Sequence, residues 1–219
     1  MSISLKVNEM RIRITFTDPV LGGGMSDPVA HADRISAQAP TPELAASEVA
    51  SLPEQEEDAT TPLTVFYRDE NGGPCLLDYQ IRGFLKEALG VRFAFEAPAL
   101  KVHSFSVSYW THKKVVDNAV FVTPRHITLT PPPGTEIETV DLDTRALRCT
   151  TMRGERIALA SSEMLPAGTT AEFEVETLHK KLDELLPGCF DYGAKKGIGQ
   201  WRNSGRGRFT WELLEDAKA

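Results

Sequence analysis

Cysteine is scarce in this chain. Cys75, Cys149 and Cys189 lie far apart, form no CxxC pair and are odd in number. They argue against a disulfide framework, and none carries a local signature of an activated thiolate. Long apolar runs are missing too. None approaches the roughly 18–20 residues that a bilayer-spanning helix needs, so no membrane partner is expected. The opening residues, Met1 to Lys6, lack a basic stretch followed by an apolar core, and no secretory signal is expected. The cytoplasm, where thiols stay reduced, is the expected location. The five histidines, His31, His103, His112, His126 and His179, form no HxH, HExxH or H-x3-H pattern. No metal site is expected from them. No GxSxG elbow is present, and the glycines at 22–24 lack the Gly-Lys-Ser/Thr of a phosphate-binding loop. They read as a chain reversal, and no cofactor is expected.

What remains is the composition of a globular protein: 219 residues, 41% hydrophobic and 25% charged. This fits a single domain over 1–219. Positive charge is in deficit, with a formal net charge of −7. That total argues against a surface that is sticky to nucleic acid everywhere. The charge is segregated, however. Glu43, Glu48, Glu54, Glu56, Glu57 and Asp58 follow one another with no base between them. Lys195, Lys196, Arg202, Arg206 and Arg208 do so with no acid. A local basic face is compatible with an acidic total.

Period-two alternation predicts a strand over 3–16. Residues 27–39 and 41–52 are expected to be helices, with Asp27 and Thr41 as N-caps and Pro28 and Pro42 at the first helical positions. The span 20–62 is therefore expected to be a helical and acidic insertion. Its part from 43 to 62, rich in proline and acid, should bury little and be partly mobile. Asn71-Gly72 between short apolar runs predicts a hairpin. Residues 79–89 form a helix with Ile81, Phe84, Leu85, Ala88 and Leu89 on one face, which Gly90 should end.

Residues 91–175 read as strand-rich. Strands are expected over 100–109, 115–122, 126–129, 138–141, 147–151, 156–161 and 170–177. A helix over 179–186 should be broken by Pro187-Gly188, with another over 189–196. The last strand is expected over 208–214, with Phe209, Trp211 and Leu213 facing the core. With the insertion and the strand-rich middle set aside, the order is close to β-α-β-β-α-β, an α+β, ferredoxin-like core with extra hairpins.

The most informative stretch lies between the last helix and the last strand. It holds Gly197, Gly199, Gly205 and Gly207 together with Arg202, Arg206, Arg208 and Trp201, and follows Lys195 and Lys196. Glycines allow close backbone approach to a ligand, and the N–H groups of Gly205 and Gly207 are expected to donate to it. The arginines suit phosphate. Arg206 and Arg208 are expected to share one face. A purely structural turn is the other reading: Gly197 or Gly199 ends the helix and Gly205–Gly207 leads into the strand. Trp201 either stacks on a base or closes the core over the loop.

A C-terminal helix, a loop alternating glycine with basic residues and a closing strand resemble the signature of the RAMP superfamily, the repeat-associated RNA-binding proteins of CRISPR systems. The resemblance covers about 35 residues well, from His179 to Leu214. It implies a fold related to RNA-recognition modules, binding of RNA or single-stranded DNA at the ten residues just named, and no catalysis. His31 is the one histidine placed where endonucleolytic relatives carry a general base. A metal-independent endoribonuclease is therefore a further, weaker reading. The alternative of a different kind is a protein-interaction or inhibitor module, of the sort phages encode, acting through the acidic 43–58 segment on a nucleic-acid-handling complex. His112-Lys113-Lys114 and Arg125-His126 are short basic spots, read either as an extension of the binding face or as solvated strand ends or a hairpin tip.

Overall fold

In the computed structural model the described residues are 8–36, 41–53, 64–95, 99–102, 105–108, 111–135, 141–151 and 154–214. The strand β1 (Asn8–Phe16) buries Ile12, Ile14 and Phe16 and turns Arg11 and Arg13 the other way. It pairs antiparallel with β13 (Thr170–Thr177) on one side and β14 (Phe209–Leu214) on the other. β13 continues to β9 (Val120–Thr123) at one end and β10 (His126–Thr130) at the other, both antiparallel. A hairpin of β5 (Tyr67–Arg68) and β6 (Pro74–Leu77) extends this sheet beyond β10.

One face of the sheet is covered by α3 (Asp78–Phe95) and α5 (Lys180–Lys196), which pack together. Their apolar stripes meet β1, β13 and β14 in one core. Phe84 lies 5.9 Å from Phe209 and 6.0 Å from Phe190, ring centre to ring centre. Such aromatic contacts add about 1 kcal/mol each to area burial.

A second sheet joins β11 (Asp141–Thr151) and β12 (Gly154–Leu165), a long hairpin, to β4 (Thr64–Val65), β3 (Gly24–Met25) and β2 (Val20–Leu21). A further pair, β7 (Ala99–Val102) and β8 (Phe105–Ser108), occupies the segment expected as one strand over 100–109. The architecture is α+β with antiparallel sheets. Residues 3–7 of the first expected strand and 138–140 of another lie outside the described residues.

Three expectations about helices are corrected. Residues 115–119 are not strand; they belong to α4 (His112–Ala119). His112, Val115 and Val116 are buried at helical spacing, while Lys113 and Lys114 face solvent. The period of burial overrode the β-branched propensity. Gly90 does not end α3. It sits inside, where a Cβ would lie 2.8 Å from His112 Nε2, and Phe93 resumes the buried stripe. Pro187 does not break α5. Buried Leu182, Leu186, Cys189 and Phe190 hold the helix across it, and Arg92 donates to the Leu185 carbonyl at 2.7 Å.

The last strand forms as expected, at the sheet edge. Phe209 is buried and Trp211 packs on the core, but Leu213 is 51% exposed, beyond the helical cover.

The helices α1 (Pro28–Ser36) and α2 (Pro42–Ala50) carry the expected caps. Asp27 Oδ1 accepts from Val29 N at 2.9 Å, and Thr41 Oγ1 from Leu44 N at 3.3 Å. Ile35, Leu52 and Ser51 are buried, so 20–36 and 41–53 pack onto the domain; 37–40 and 54–63 lie outside the described residues. Glu48, within the 43–62 part expected to bury little, is 4% exposed. Its Oε1 accepts from Tyr79 OH at 2.8 Å and Tyr67 OH at 3.2 Å and lies 3.2 Å from His31 Nε2. Arg125 joins this network through Glu48 Oε2 at 3.4 Å and through Asp78. The basic spot at 125 is thus a structural cation.

Burial raises the Tyr79 hydroxyl pKa, reinforced by Tyr67 and Glu48, and pushes the Cys75 thiol up to about 12. Both groups are held neutral in the folded state. Their stabilisation is full below the unfolded values of 9.0 and 10.0 and declines as pH rises above them. The urea midpoint should therefore fall from about pH 9 upward. A Cys75→Ala variant should lose the lower-pH part of that decline; an unchanged profile would contradict the assignment.

Candidate nucleic-acid interface

The loop begins where Gly197 leaves α5 at φ 80°, ψ 173°, its N–H donating to Gly193 O at 2.7 Å. Its two ends are pinned together. Ile198, buried, donates to Gly207 O at 2.9 Å, and Gly207 donates to Pro19 O at 2.9 Å. Arg208 O accepts from Thr17 N at 2.9 Å, which ties the exit to β1. The space is glycine-only: a Cβ on Gly197 would lie 2.5 Å from Arg206 O, and one on Gly199 would lie 2.8 Å from Leu21 O. Gly197, Gly199, Gly205 and Gly207 all have positive φ. The structural reading of these glycines therefore holds for loop closure.

At the tip, Trp201 adopts φ 55°, ψ 33° and leads into a single 3-10 turn, Arg202–Ser204. It is the one non-glycine with positive φ among the described residues. Such strain costs about 1 kcal/mol and persists only where surroundings enforce it. The Trp201 side chain is held by a cation: the Arg145 guanidinium lies 4.3 Å from its ring centre. Arg145 is held in turn by Asp143 at 3.2 Å and Ser162 at 3.0 Å. Trp201 thus neither closes the core nor stands free; one face rests on a cation.

The loop cations separate into two groups. Arg202 donates to Glu87 at 2.6 Å, Arg206 to Asp143 at 2.5 Å, and Lys196 to Asn203 at 2.8 Å. Lys195 and Arg208 are exposed. Arg206 and Arg208 do not act as one pair, since Arg206 leans on β11. The N–H groups expected to meet a ligand are engaged internally, Gly205 with Arg202 O at 3.0 Å and Gly207 with Pro19 O. Asp143, Arg145 and Glu87 were invisible to sequence reading. The loop holds no acid of its own, so its partners had to come from distant elements. That deficit is the one signal for them.

Beside the loop opens a cleft of about 280 Å³. Gly23, Gln80 and Gly83 line one part of it, and Gly199, Gln200 and Arg202 another. The sheet face away from the helices is a poor place for an anionic polymer. Glu172, Glu174, Glu176 and Glu212 surround Arg11 and Arg13 there, and Arg13 is bound by Glu172 and Glu212. His31 is fully buried against Glu48 and Tyr67, out of reach of any polymer. Among the described residues no group of His, Cys, Asp and Glu is set to hold a metal, and no helix is long and apolar enough to cross a membrane.

No protein-family model matches the chain, and no curated protein does. Solved structures do. A chain of the Type III-B Cmr-beta complex bound to cognate target RNA superposes with a TM-score of 0.52 at 10% identity. The match covers 97% of this chain and 62% of that one. The two chains share a fold. A chain of a Type IV-B CRISPR complex also matches, at 12% identity and a TM-score of 0.48, over 97% of this chain and 92% of that one. Because the chain spans only 62% of the Cmr-beta relative, that relative lends its architecture here and nothing more.

Proposed function

We propose that this chain is a RAMP-like, ferredoxin-like protein of the cytoplasm that binds RNA or single-stranded DNA at residues 195–208, without catalysis, within a CRISPR-related ribonucleoprotein. The strand order β14-β1-β13-β9, antiparallel throughout, with α3 and α5 as the two crossovers, supports the ferredoxin-like assignment. The carrying observation for binding is the loop itself. Its backbone is locked in an unusual form by bonds at both ends, it lines an open cleft through Gly199, Gln200 and Arg202, and Arg208 at its exit and Lys195 on the preceding turn of α5 are exposed to solvent. A turn needed only for connection has no use for a strained Trp201 propped on Arg145.

The test is a salt series. Wild type should bind oligouridylate or oligodeoxythymidylate with affinity that falls steeply with salt, since phosphate contacts release counterions. Lys195→Ala with Arg208→Ala should leave stability unchanged and flatten the log–log slope by about one to two units. Equal slopes would reduce the loop to a structural turn. The protein-interaction reading would then lead, favoured by Leu142, Ile157 and Leu159, which stand 52–72% exposed on the β11–β12 arm.

A further inference from the structure

We infer that the cleft between the turn at 22–24, α3 and the glycine loop receives a single unstacked base of the bound strand and reads a carbonyl on its edge. The inference rests on the nucleic-acid reading above and adds a base pocket to its phosphate contacts.

Gly83 is the starting observation. α3 and α5 contain four glycines, and packing dictates three. A Cβ on Gly90 would lie 2.8 Å from His112, one on Gly188 2.4 Å from Arg92, and one on Gly193 2.4 Å from Phe209. A Cβ on Gly83 would meet nothing within 4 Å. Glycine inside a helix is unfavourable relative to alanine, and no neighbour here requires it. What it does is leave the cleft wall bare. Gly23 leaves the facing wall without a side chain as well, so a flat ring can lie directly against backbone there. At about 280 Å³ the cleft falls below the range for drug-sized ligands and suits one base.

The polar groups give the pocket its preference. Gln80 Oε1 accepts from Leu77 N at 2.8 Å, which fixes the amide and directs its NH₂ toward Gly23, 3.1 Å from where a Cβ would stand. Gln200 Nε2 lies 4.0 Å from that same point. Two amide donors therefore converge on one side of the cleft and suit an acceptor, such as a uracil or guanine carbonyl. Glu87, the carboxylate in the wall, is matched by Arg202 at 2.6 Å and so does not repel the strand. Phe84 and Ile198 make an apolar floor, which favours a ring over a bare phosphate.

The test fills the pocket from its open side. Gly83→Leu should fold normally, with a thermal midpoint equal to or above wild type. It should bind oligouridylate about tenfold more weakly at matched salt, the scale of losing one stacked base, with an unchanged salt slope. An abasic oligomer of the same length should bind wild type and Gly83→Leu equally. A folded Gly83→Leu that binds oligouridylate like wild type overturns the base pocket. So does an equal loss on the abasic oligomer, which would mean that leucine blocks the backbone path. If the salt slope still depends on Lys195 and Arg208, only the pocket fails. If wild type binds no oligomer, both readings fail.

Discussion

Glu48→Ala destabilises the protein by roughly 3–5 kcal/mol in urea unfolding, the range expected when one partner of a buried ionic network is removed. Glu48 is 4% exposed and sits at the junction of α2, the β5–β6 hairpin and α3. One of its oxygens takes the hydroxyls of Tyr67 and Tyr79 and faces His31; the other takes Arg125. Alanine removes the shared acceptor and leaves the Arg125 charge with Asp78 alone. The loss is local in origin, because α1 and α2 meet the second apolar cluster of Leu52, Val65, Tyr67, Cys75 and Leu77 at this point. Amide exchange in α2 should quicken before exchange in β1 or β13. Glu48→Gln keeps the shape and one acceptor oxygen and should lose about half as much. A Glu48→Ala variant within 1 kcal/mol of wild type, roughly a surface-substitution effect, would show that the network is incidental.

Local rules made part of this molecule legible. β13 matches its expected bounds because Ala171, Phe173 and Val175 alternate with Glu172, Glu174 and Glu176. The caps at Asp27 and Thr41 follow from side-chain chemistry alone. The errors came where distant contacts decide. Gly90 reads as a helix stop until His112 is known to pack on it, and Pro187 reads as a break until the stripe from Leu182 to Phe190 is known to be buried. Glu48 is expected to bury little because it falls in a stretch, 43 to 62, rich in acid and proline; its partners come from 67, 79 and 125. The glycine loop was visible by composition. Its cations could not be sorted into engaged and exposed, because Glu87 and Asp143 lie on α3 and β11.

Gly207→Ala is expected to be the most damaging single change in the loop, at roughly 2–4 kcal/mol, with nucleic-acid binding lost along with it. Two effects add. Position 207 has φ 70°, where alanine is strained by about 1 kcal/mol. A Cβ there would also lie 1.8 Å from Ile198 O, a backbone atom that cannot swing aside. Relief requires the loop ends to part, which breaks the Ile198–Gly207 and Gly207–Pro19 hydrogen bonds together. Gly205→Ala is the contrast. Its φ is 85°, so the backbone strain is similar, but its Cβ would meet only the Arg208 side chain, at 3.4 Å. It should lose about 1 kcal/mol and keep most of its binding. Thermal unfolding and an oligouridylate titration on both variants separate closure from strain. Equal losses would mean that left-handed backbone strain dominates. A neutral Gly207→Ala would mean that the two ends of the loop are not held as the Ile198–Gly207 bond requires, and the presentation of Lys195 and Arg208 would lose its physical basis.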